Sequence, residues 1–237
     1  METKKPLIGM PVHNGFNAFK ASIESLIHST SCPFKLLIVE SESTDGSHEY
    51  AKILPQLYPG IEIEIIHTKK EGPLKAYNML FQKAKEYQMD LYLIQTDVIH
   101  FRLYGRDWLY EMTEVAKSED VGLIAPLGAW GIAHEWHNQE FQWAGGWACY
   151  IPIRTINLIG GYDEGYEIGD GVDIDYTYNV QKHGLKCIRA PFWVQHHWMT
   201  EHEHEKNPDL QNIRKRNREY FRRKYDIKEE FSPDMNF

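Results

Sequence analysis

The feature that most restricts the fold is an alternation of strand-like and helix-like hydrophobic patterns over the first hundred residues. Short apolar runs are predicted as buried strands, and amphipathic stretches with apolar residues at helical spacing separate them. The predicted strands lie at Leu7–Val12, Leu36–Val39, Ile61–Ile66 and Leu91–Ile94. This order is typical of βαβ units, so we predict an α/β fold with a mostly parallel central sheet flanked by helices.

The carboxyl ends of the predicted strands are where we expect the chemistry, because parallel sheets bind their ligands there. The second half of the chain is less regular. Residues 130–147 contain four of the seven tryptophans, in a segment long enough to indicate a functional loop. Helices are predicted over Asp173–His183 and from Pro208 onward, with a short strand at Lys186–Ile188 between them.

Composition excludes several classes of protein. Hydrophobic residues make up 42% of the chain and charged residues 25%, which excludes disorder for most of it. The apolar runs are far shorter than the roughly 20 residues of a membrane-spanning helix. A net charge of -8 argues against a general nucleic-acid-binding surface. Seven basic residues within Arg214–Lys224 are the exception, and they fit either a solvated helix face or a local contact with phosphates.

The cysteines and the N-terminal residues bear on the compartment. Cys32, Cys149 and Cys187 are widely spaced and odd in number, which favours a reducing environment. Met1–Pro6 has no apolar signal-peptide core. We therefore expect a cytoplasmic protein, with peripheral contact to a membrane surface through the basic stretch as an open alternative.

Asp97 follows the fourth predicted strand, where a carboxylate is well placed to hold a divalent cation beside a phosphate. An aspartate at a strand end can equally cap a turn. His196 and His197 end a later strand and offer an imidazole to the same cation, although a histidine is more often a hydrogen-bonded structural residue. Residues 201–205 alternate glutamate and histidine, which fits either metal binding or a solvated segment.

Three carboxylates, Asp170, Asp173 and Asp175, stand within six residues at the start of a predicted helix. In a structural interpretation, Asp170 is the N-cap and the others lie in the first turn, where the helix dipole favours negative charge. In a functional interpretation, one carboxylate is a general base that deprotonates an acceptor hydroxyl. The residue pattern alone leaves both open.

Six motifs in chain order carry a resemblance that none of them carries alone. They are Pro11–Asn14, Glu40–Ser47, Gly72–Asn78, Thr96–Val98, Gly160–Glu164 and Val172–Asp175, followed by Pro191 and one of the two adjacent histidines. In this order and spacing the chain resembles the GT-A glycosyltransferases, in particular the inverting family 2. The resemblance implies a GT-A, Rossmann-like fold with a C-terminal acceptor-side region.

The same resemblance implies transfer of a sugar, with inversion, from a nucleoside diphosphate sugar to a hydroxyl, and a UDP-sugar is favoured. It aligns Asp173 with the catalytic base, with Asp170 as the neighbouring candidate. It implies Mn²⁺ or Mg²⁺ held by Asp97 and by His196 or His197. The implied donor-binding residues are Pro11, His13, Asn14, Glu40, Glu42, Asp45, Lys75, Asn78, Thr96 and Asp97.

The acceptor side is implied at Trp130, Trp143, Trp147, Asp163 and Glu164, because aromatic faces stack on sugar rings. Some of the tryptophans are alternatively expected in the core. The acceptor is a glycan, a lipid-linked sugar or another hydroxyl compound, and nucleic acid is the least favoured. Residues 1–100 are expected to bind the nucleotide sugar, 101–205 to form the acceptor and catalytic half, and 206–237 a basic helix and tail.

Two other functions fit parts of the pattern. A sugar-nucleotidyltransferase would usually carry a glycine-rich, basic phosphate loop near the N-terminus, and residues 9–14 contain no lysine or arginine. A non-catalytic carbohydrate-binding protein could share the fold and the aromatic residues. The presence of both Asp97 and Asp173 favours the enzyme.

Overall fold

The first half of the molecule alternates strands and helices as the hydrophobic pattern predicts. The computed structural model describes residues 5–101, 107–132, 142–190, 192–196 and 207–227. Its first elements are β1 (Leu7–Val12), α1 (Phe16–Ser29), β2 (Lys35–Ser41), α2 (Ser47–Leu57), β3 (Glu62–Thr68), α3 (Pro73–Tyr87) and β4 (Leu91–Ile94). All four predicted strands of this half are confirmed, with shifts of one or two residues at their ends.

The second half adds shorter elements. They are β5 (Val98–His100), α4 (Trp108–Ala116), β6 (Val121–Pro126), β7 (Trp130–Ile132), β8 (Gln142–Ala144), β9 (Ala148–Ile151), α5 (Ile153–Ile159), α6 (Val172–Lys182), β10 (Lys186–Ala190), β11 (Val194–His196) and α7 (Leu210–Tyr225). The predicted helices that begin near Asp173 and Pro208 correspond to α6 and α7, and the predicted strand at Lys186–Ile188 to β10.

A seven-stranded sheet forms the centre of the fold, in the order β10-β6-β9-β4-β1-β2-β3. Strands β1, β2, β3 and β4 are parallel, and β10 is parallel to β6. Strand β9 is antiparallel to both of its neighbours, β4 and β6. Two small antiparallel pairs, β5 with β11 and β7 with β8, lie outside this sheet. The sheet is therefore mostly parallel, as predicted, with one reversed strand inside it.

The central strands supply the core. Leu36–Val39 and Leu91–Ile94 are fully buried, as expected for parallel strands covered on both faces. Helix α3 packs against β1, β2 and β4, and α4 packs against β6. Ala76, Leu80 and Ala84 recur at helical spacing on the buried side of α3. This packing fixes the strand ends from which the candidate site is built.

Helix α2 begins at the end of Ser43–Ser47, a run typical of a helix start. Gly46 is its N-cap residue and has φ 95°. A left-handed backbone costs glycine little, and it places the first helical residue at Ser47. Residues 42–46 are consequently a loop at the carboxyl edge of the sheet, where donor-binding residues are predicted.

None of the described helices combines the length and the apolar character needed to cross a bilayer. Helix α7 is 16 residues long and carries arginine and lysine in its last turn.

The packing of β6 against α6 gives a test of the fold. A Cβ atom added at Gly122 would lie 2.6 Å from Val180 Cγ1 and 2.7 Å from Leu185 Cβ, which cannot rotate away. We expect Gly122→Ala to lower the free energy of unfolding by about 1–3 kcal/mol through overpacking. Urea denaturation measures this change. Gly60→Ala is the matched control, because no atom lies within 4 Å of its added Cβ, and equal effects of the two changes would contradict the packing described.

Candidate active site

The loops after β1 and β2 are fastened to each other at the carboxyl edge of the sheet. Asn14 has a left-handed backbone (φ 56°). Its side-chain oxygen accepts a hydrogen bond from the Thr44 backbone amide at 2.9 Å. The backbone amide of Asn14 donates a hydrogen bond to Ser43 Oγ at 2.9 Å. His13 Nδ1 lies 2.5 Å from the Ser41 carbonyl oxygen. The predicted donor-binding loop is thus held in one position relative to β2.

Asp45 fixes the starts of two helices. It accepts hydrogen bonds from the Phe16 amide at 2.8 Å and from the Ser47 hydroxyl at 2.7 Å. Burial raises the pKa of Asp45, but these hydrogen bonds outweigh burial and hold the pKa below its usual value. Glu42 accepts a hydrogen bond from the Lys70 amide at 3.1 Å. The acids of this loop therefore order the backbone around the edge of the sheet.

Glu40, the residue before the end of β2, contacts two histidines that the sequence pattern does not single out. Its Oε2 lies 2.7 Å from His48 Nδ1 and 3.0 Å from His67 Nδ1, and its Oε1 accepts a hydrogen bond from the Ser43 amide at 2.7 Å. The side chain of Glu40 is 1% exposed. Burial raises the pKa of Glu40, but the hydrogen bonds from the two imidazoles and from Ser43 lower it to about 2. Glu40 is a buried, charged anchor.

A cleft of about 220 Å³ opens beside the ends of β2 and β3, with Ser41 and Thr68 on one wall. Lys75, Asn78 and Glu164 line it from the side of α3. Lys75 Nζ lies 2.6 Å from Glu164 Oε2, and Asn78 Nδ2 donates to Glu164 Oε1 at 3.0 Å. The structure thus places Glu164, predicted on the acceptor side, next to two predicted donor-binding residues.

Asp97 and His196 meet between the ends of β4 and β11. Asp97 Oδ1 lies 3.1 Å from His196 Nε2, and their side chains are 1% and 11% exposed. The pairing of β5 with β11 sets this approach, because His196 is opposite Val98 in the register. The ring of Trp147 stacks on His196 at 4.8 Å with an interplanar angle of 9°. Pro11 and Thr96 are half-buried near the same edge, whereas His197 lies outside the described residues.

Asp173 is the second residue of α6, and its carboxylate is buried against backbone amides. Oδ2 accepts a hydrogen bond from the Gly146 amide at 2.9 Å, and Oδ1 accepts one from the Ile174 amide at 2.9 Å. Within the described ranges, no basic side chain forms an ion pair with it. Burial is the largest influence and raises the pKa of Asp173 to about 6, against the opposing effect of the amides. This carboxyl can take up a proton near neutral pH.

The turn before β9 joins the two buried acids. Gly146 binds Asp173, and the next residue, Trp147, stacks on the histidine that contacts Asp97. Burial raises the pKa of Tyr77, and the charges of Asp97 and Asp173 both raise it further, which places the Tyr77 hydroxyl within the field of the two. Asp97 and Asp173 are therefore both connected to the turn before β9 and both act on the same tyrosine.

This geometry agrees with a comparison of the sequence against protein families. Residues 7–144, more than half of the chain, match the family described as Glycosyl transferase family 2. The chain belongs to glycosyltransferase family 2. One curated relative is "Uncharacterized glycosyltransferase YibD" of Escherichia coli (strain K12), which is 32% identical over 76 residues. That stretch covers 32% of this chain and 22% of the relative.

Solved glycosyltransferases share the fold of this family 2 chain. Mannosyltransferase PcManGT from Pyrobaculum calidifontis, in complex with GDP-Man and Mn²⁺, gives a TM-score of 0.67 at 15% identity over 97% of this chain and 66% of that one. GalNAc-T7 with UDP, GalNAc and Mn²⁺ gives 0.66 at 14% identity over 79% and 42%. S. aureus TarS 1-349 in complex with UDP gives 0.57 at 11% identity over 80% and 59%. The chain spans less than two thirds of the length of each of these proteins, and identities this low show the fold alone.

Asp170 is not the N-cap of α6 in this family 2 chain, so the structural interpretation of that residue is wrong. Gly171, with φ 85°, is the N-cap residue and no side chain caps the helix. Asp170 therefore lies one residue before the N-cap. Its Oδ1 contacts Arg214 Nε of α7 at 3.2 Å. Asp173 and Asp175 do lie in the first turn, as predicted.

Helix α7 supplies cations to other acids around the site. Lys224 Nζ lies 2.8 Å from Asp175 Oδ1 and 2.7 Å from Asp163 Oδ2, and the Tyr166 hydroxyl donates to Asp175 at 2.9 Å. Arg216 Nε lies 2.6 Å from Glu167. Part of the basic stretch on α7 therefore forms ion pairs with acids of the preceding segment. Asp163, predicted on the acceptor side, is one of these acids.

The tryptophans predicted on the acceptor side are half-buried. Trp130 donates a hydrogen bond from Nε1 to the Ala125 carbonyl oxygen at 3.1 Å, and the Arg189 guanidinium lies 5.2 Å from the centre of its ring. Trp143 and Trp147 also pack against the core without being fully enclosed. These three tryptophans are therefore not core residues, contrary to the alternative expectation. Trp136 lies outside the described residues.

Three contributors to the site have weak sequence signals. His48 and His67 are isolated histidines, and only the pairing of β2 with β3, which sets Glu40 opposite His67, brings them together. Gly146 contributes a backbone amide, and an amide has no residue-type signature. Knowledge of the strand register could have found the histidines, because Glu40 and His67 both stand at the ends of predicted strands.

The raised pKa of Asp173 predicts a pH-dependent stability. Between about pH 4 and pH 6 the native carboxyl keeps a proton that the unfolded chain has lost, so unfolding becomes easier as the pH rises. We expect this group to lower the free energy of unfolding by up to about 3 kcal/mol across that window. Denaturant titrations from pH 4 to pH 7 measure it, and Asp173→Asn should remove this downward slope.

Asp45→Asn is the control for that experiment. The pKa of Asp45 is lowered rather than raised, so Asp45 titrates below the window and its replacement should leave the slope between pH 4 and pH 6 unchanged. If Asp173→Asn has the same slope as the wild type, the carboxyl is not held protonated by its burial.

Proposed function

We propose that this chain transfers a sugar from a nucleoside diphosphate sugar to an acceptor hydroxyl, with inversion at the anomeric carbon. The observation that carries the proposal is the pair of buried carboxylates, Asp97 and Asp173, that the Gly146–Trp147 turn joins in one site. Membership of glycosyltransferase family 2 supports glycosyl transfer. Solved relatives of the same fold that contain GDP-Man or UDP support a nucleotide-sugar donor.

The donor lies in the cleft beside β2 and β3 in this proposal. The linked loops that contain His13, Asn14 and Asp45 form a preorganised rim for the nucleoside, with a UDP-sugar as the favoured donor. Lys75 lines this cleft and can contact a diphosphate there, and its partner Glu164 is about half exposed. An exposed ion pair contributes little to stability, so a phosphate can replace Glu164 as the partner of Lys75 at small cost.

Asp97 and His196 would hold a divalent cation. Their ligand atoms converge at 3.1 Å, and both side chains are largely buried, so one carboxylate oxygen and one imidazole nitrogen face the same point. Mn²⁺ accepts such a mixed pair, and either Mn²⁺ or Mg²⁺ would complete its shell with diphosphate oxygens and water. When bound there, the cation supplies Lewis-acid stabilisation of the charge that grows on the leaving diphosphate.

Asp173 is the catalytic base in this proposal. The acceptor oxygen forms a bond to the anomeric carbon while the bond from that carbon to the diphosphate breaks, and the hydroxyl proton passes to Asp173. The nucleoside diphosphate leaves with the bonding electron pair. A pKa near 6 suits this role, because the carboxylate is largely ionised at neutral pH and yet basic enough to accept a proton.

The acceptor approaches past the half-buried tryptophans. Trp147 already lies on His196 beside the proposed cation site, and Trp143 precedes it on β8. Flat aromatic faces of this kind stack on sugar rings, so we favour a glycan or lipid-linked sugar as the acceptor. Asp163 contacts Lys224 and Glu164 contacts Lys75, and in our proposal these two acids shape the cleft rather than bind the acceptor directly.

Loss of Asp97 tests the transferase and its cation together. We expect wild-type protein to release nucleoside diphosphate from a UDP-, GDP- or dTDP-sugar only when Mn²⁺ or Mg²⁺ is present. Asp97→Ala should abolish this release, because the cation loses its carboxylate ligand. Asp120→Ala, at a largely exposed aspartate paired with Lys186, is the matched control. Near wild-type turnover by folded Asp97→Ala would remove the cation role, and no turnover of any donor by the wild type would favour a binding protein.

Replacement of Asp173 tests the base. We expect Asp173→Asn to reduce the transfer rate by about 10²–10⁴, the usual contribution of a positioned base, with donor affinity unchanged. Single-turnover transfer and donor titration measure the two quantities. Asp170→Asn is the neighbouring control, since Asp170 contacts Arg214 instead of the amides at the site. A larger loss of transfer in Asp170→Asn would assign the base to Asp170.

A further inference from the structure

A cluster of two histidines and one glutamate lies at the edge of the sheet, and the proposed transfer uses neither imidazole. His48 Nδ1, His67 Nδ1 and one carboxylate oxygen of Glu40 all lie within 4.8 Å of one another. We propose that these three residues form a binding site for Zn²⁺ or a divalent transition ion of similar character, separate from the Asp97 site. This site is independent of whether the chain transfers sugars.

The backbone holds the three ligands together. Glu40 and His67 are paired residues on the adjacent parallel strands β2 and β3, so their side chains leave the same face of the sheet. His48 is the second residue of α2, and its ring lies 4.5 Å from the ring of His67. Two strand ends and a helix start are rigid supports, so few side-chain rotations separate the present contacts from a chelating arrangement.

Glu40 has the environment of an oriented metal ligand. The Ser43 amide donates to Oε1 at 2.7 Å, which leaves Oε2 facing both imidazoles at 2.7 and 3.0 Å. A hydrogen bond to the second oxygen is the usual way in which a protein fixes a ligating carboxylate. The Glu40 side chain is 1% exposed and charged, so a cation there would compensate a buried negative charge.

The donor set selects the metal. Two imidazole nitrogens and one carboxylate oxygen suit Zn²⁺, Co²⁺ or Ni²⁺, whereas Mg²⁺ prefers oxygen ligands alone. The Asp97 site has one nitrogen donor from the described residues, so the two sites differ in chemistry. The His48 and His67 side chains are 28% and 40% exposed. The cation would therefore sit between a buried carboxylate and solvent, with an open position for water.

Binding requires only a change of tautomer at the two imidazoles. In the present contacts each Nδ1 can donate a hydrogen to Oε2, and coordination replaces that hydrogen bond with a bond from Nδ1 to the metal. Each ring then carries a proton on Nε2, the nitrogen that does not bind the metal. The metal would clamp β2, β3 and α2 beside the loop that contains Asp45.

Metal titration of the full chain, stripped with a chelator, tests the site without an activity assay. We expect one equivalent of Zn²⁺ to bind at this site in competition with a chromophoric chelator, and Co²⁺ to give the visible absorption of a nitrogen-coordinated ion. Excess Mg²⁺ should not displace either. His48→Gln/His67→Gln should weaken this binding by at least about 100-fold, since loss of supporting groups alone costs 10–100-fold. The single variant His67→Gln, at the more exposed histidine, serves if the double variant does not fold.

Three control variants locate the binding. His28→Gln, at an exposed histidine of α1, should bind Zn²⁺ as the wild type does. Asp97→Ala should also retain it, which separates this site from the proposed catalytic cation. His202→Gln/His204→Gln removes two histidines of the Glu-His run. Binding that persists without His48 and His67, or that disappears only without His202 and His204, overturns the proposal, as does the absence of any Zn²⁺ binding by the wild type.

Discussion

The geometry of the whole site depends on one strand that runs against its neighbours. Because β9 is antiparallel to β4, its first residue, Ala148, pairs with Ile94 at the end of β4. The turn before β9 therefore lies at the carboxyl edge, where the parallel strands end. From this turn Gly146 donates to Asp173 and Trp147 stacks on His196. A parallel strand in the same place would put its preceding turn at the opposite edge of the sheet.

Local pattern predicted the parallel part of this arrangement but not the reversed strand. The strands β1 to β4 follow from apolar runs separated by amphipathic helices, because each βαβ unit has only one way to pack. The apolar run Ala148–Ile151 has no feature that distinguishes an antiparallel strand from a parallel one. The N-cap of α6 also escaped prediction, because Gly171 and Asp170 are both good caps and only the backbone angle of Gly171 decides between them.

The site residues likewise divide into those with a local sequence signal and those that only strand register brings together. Asp97 and Asp173 carry a sequence signal because Asp97 follows a predicted strand and Asp173 begins a predicted helix. His48 and His67 are each at least 19 residues from any other histidine, so their contact with Glu40 depends on the register of β2 and β3. Contacts between elements distant in sequence are fixed by register and packing, which local pattern does not encode.

The contacts made by α7 distinguish Asp173 from the other two acids in the run from Asp170 to Asp175. Asp170 contacts Arg214, and Asp175 is bound by Lys224 and Tyr166, so both have a positive charge nearby. Lys224 also helps to hold the pKa of Asp163 below its usual value, against the effect of burial. Among the described residues, backbone amides bind the Asp173 carboxylate, and burial raises its pKa to about 6. Cations of α7 contact Asp170 and Asp175, whereas backbone amides bind Asp173, and this difference supports Asp173 as the base in the proposed transfer. The cost is a buried acid that weakens the fold as it ionises, a conflict between stability and chemistry that is typical of functional sites.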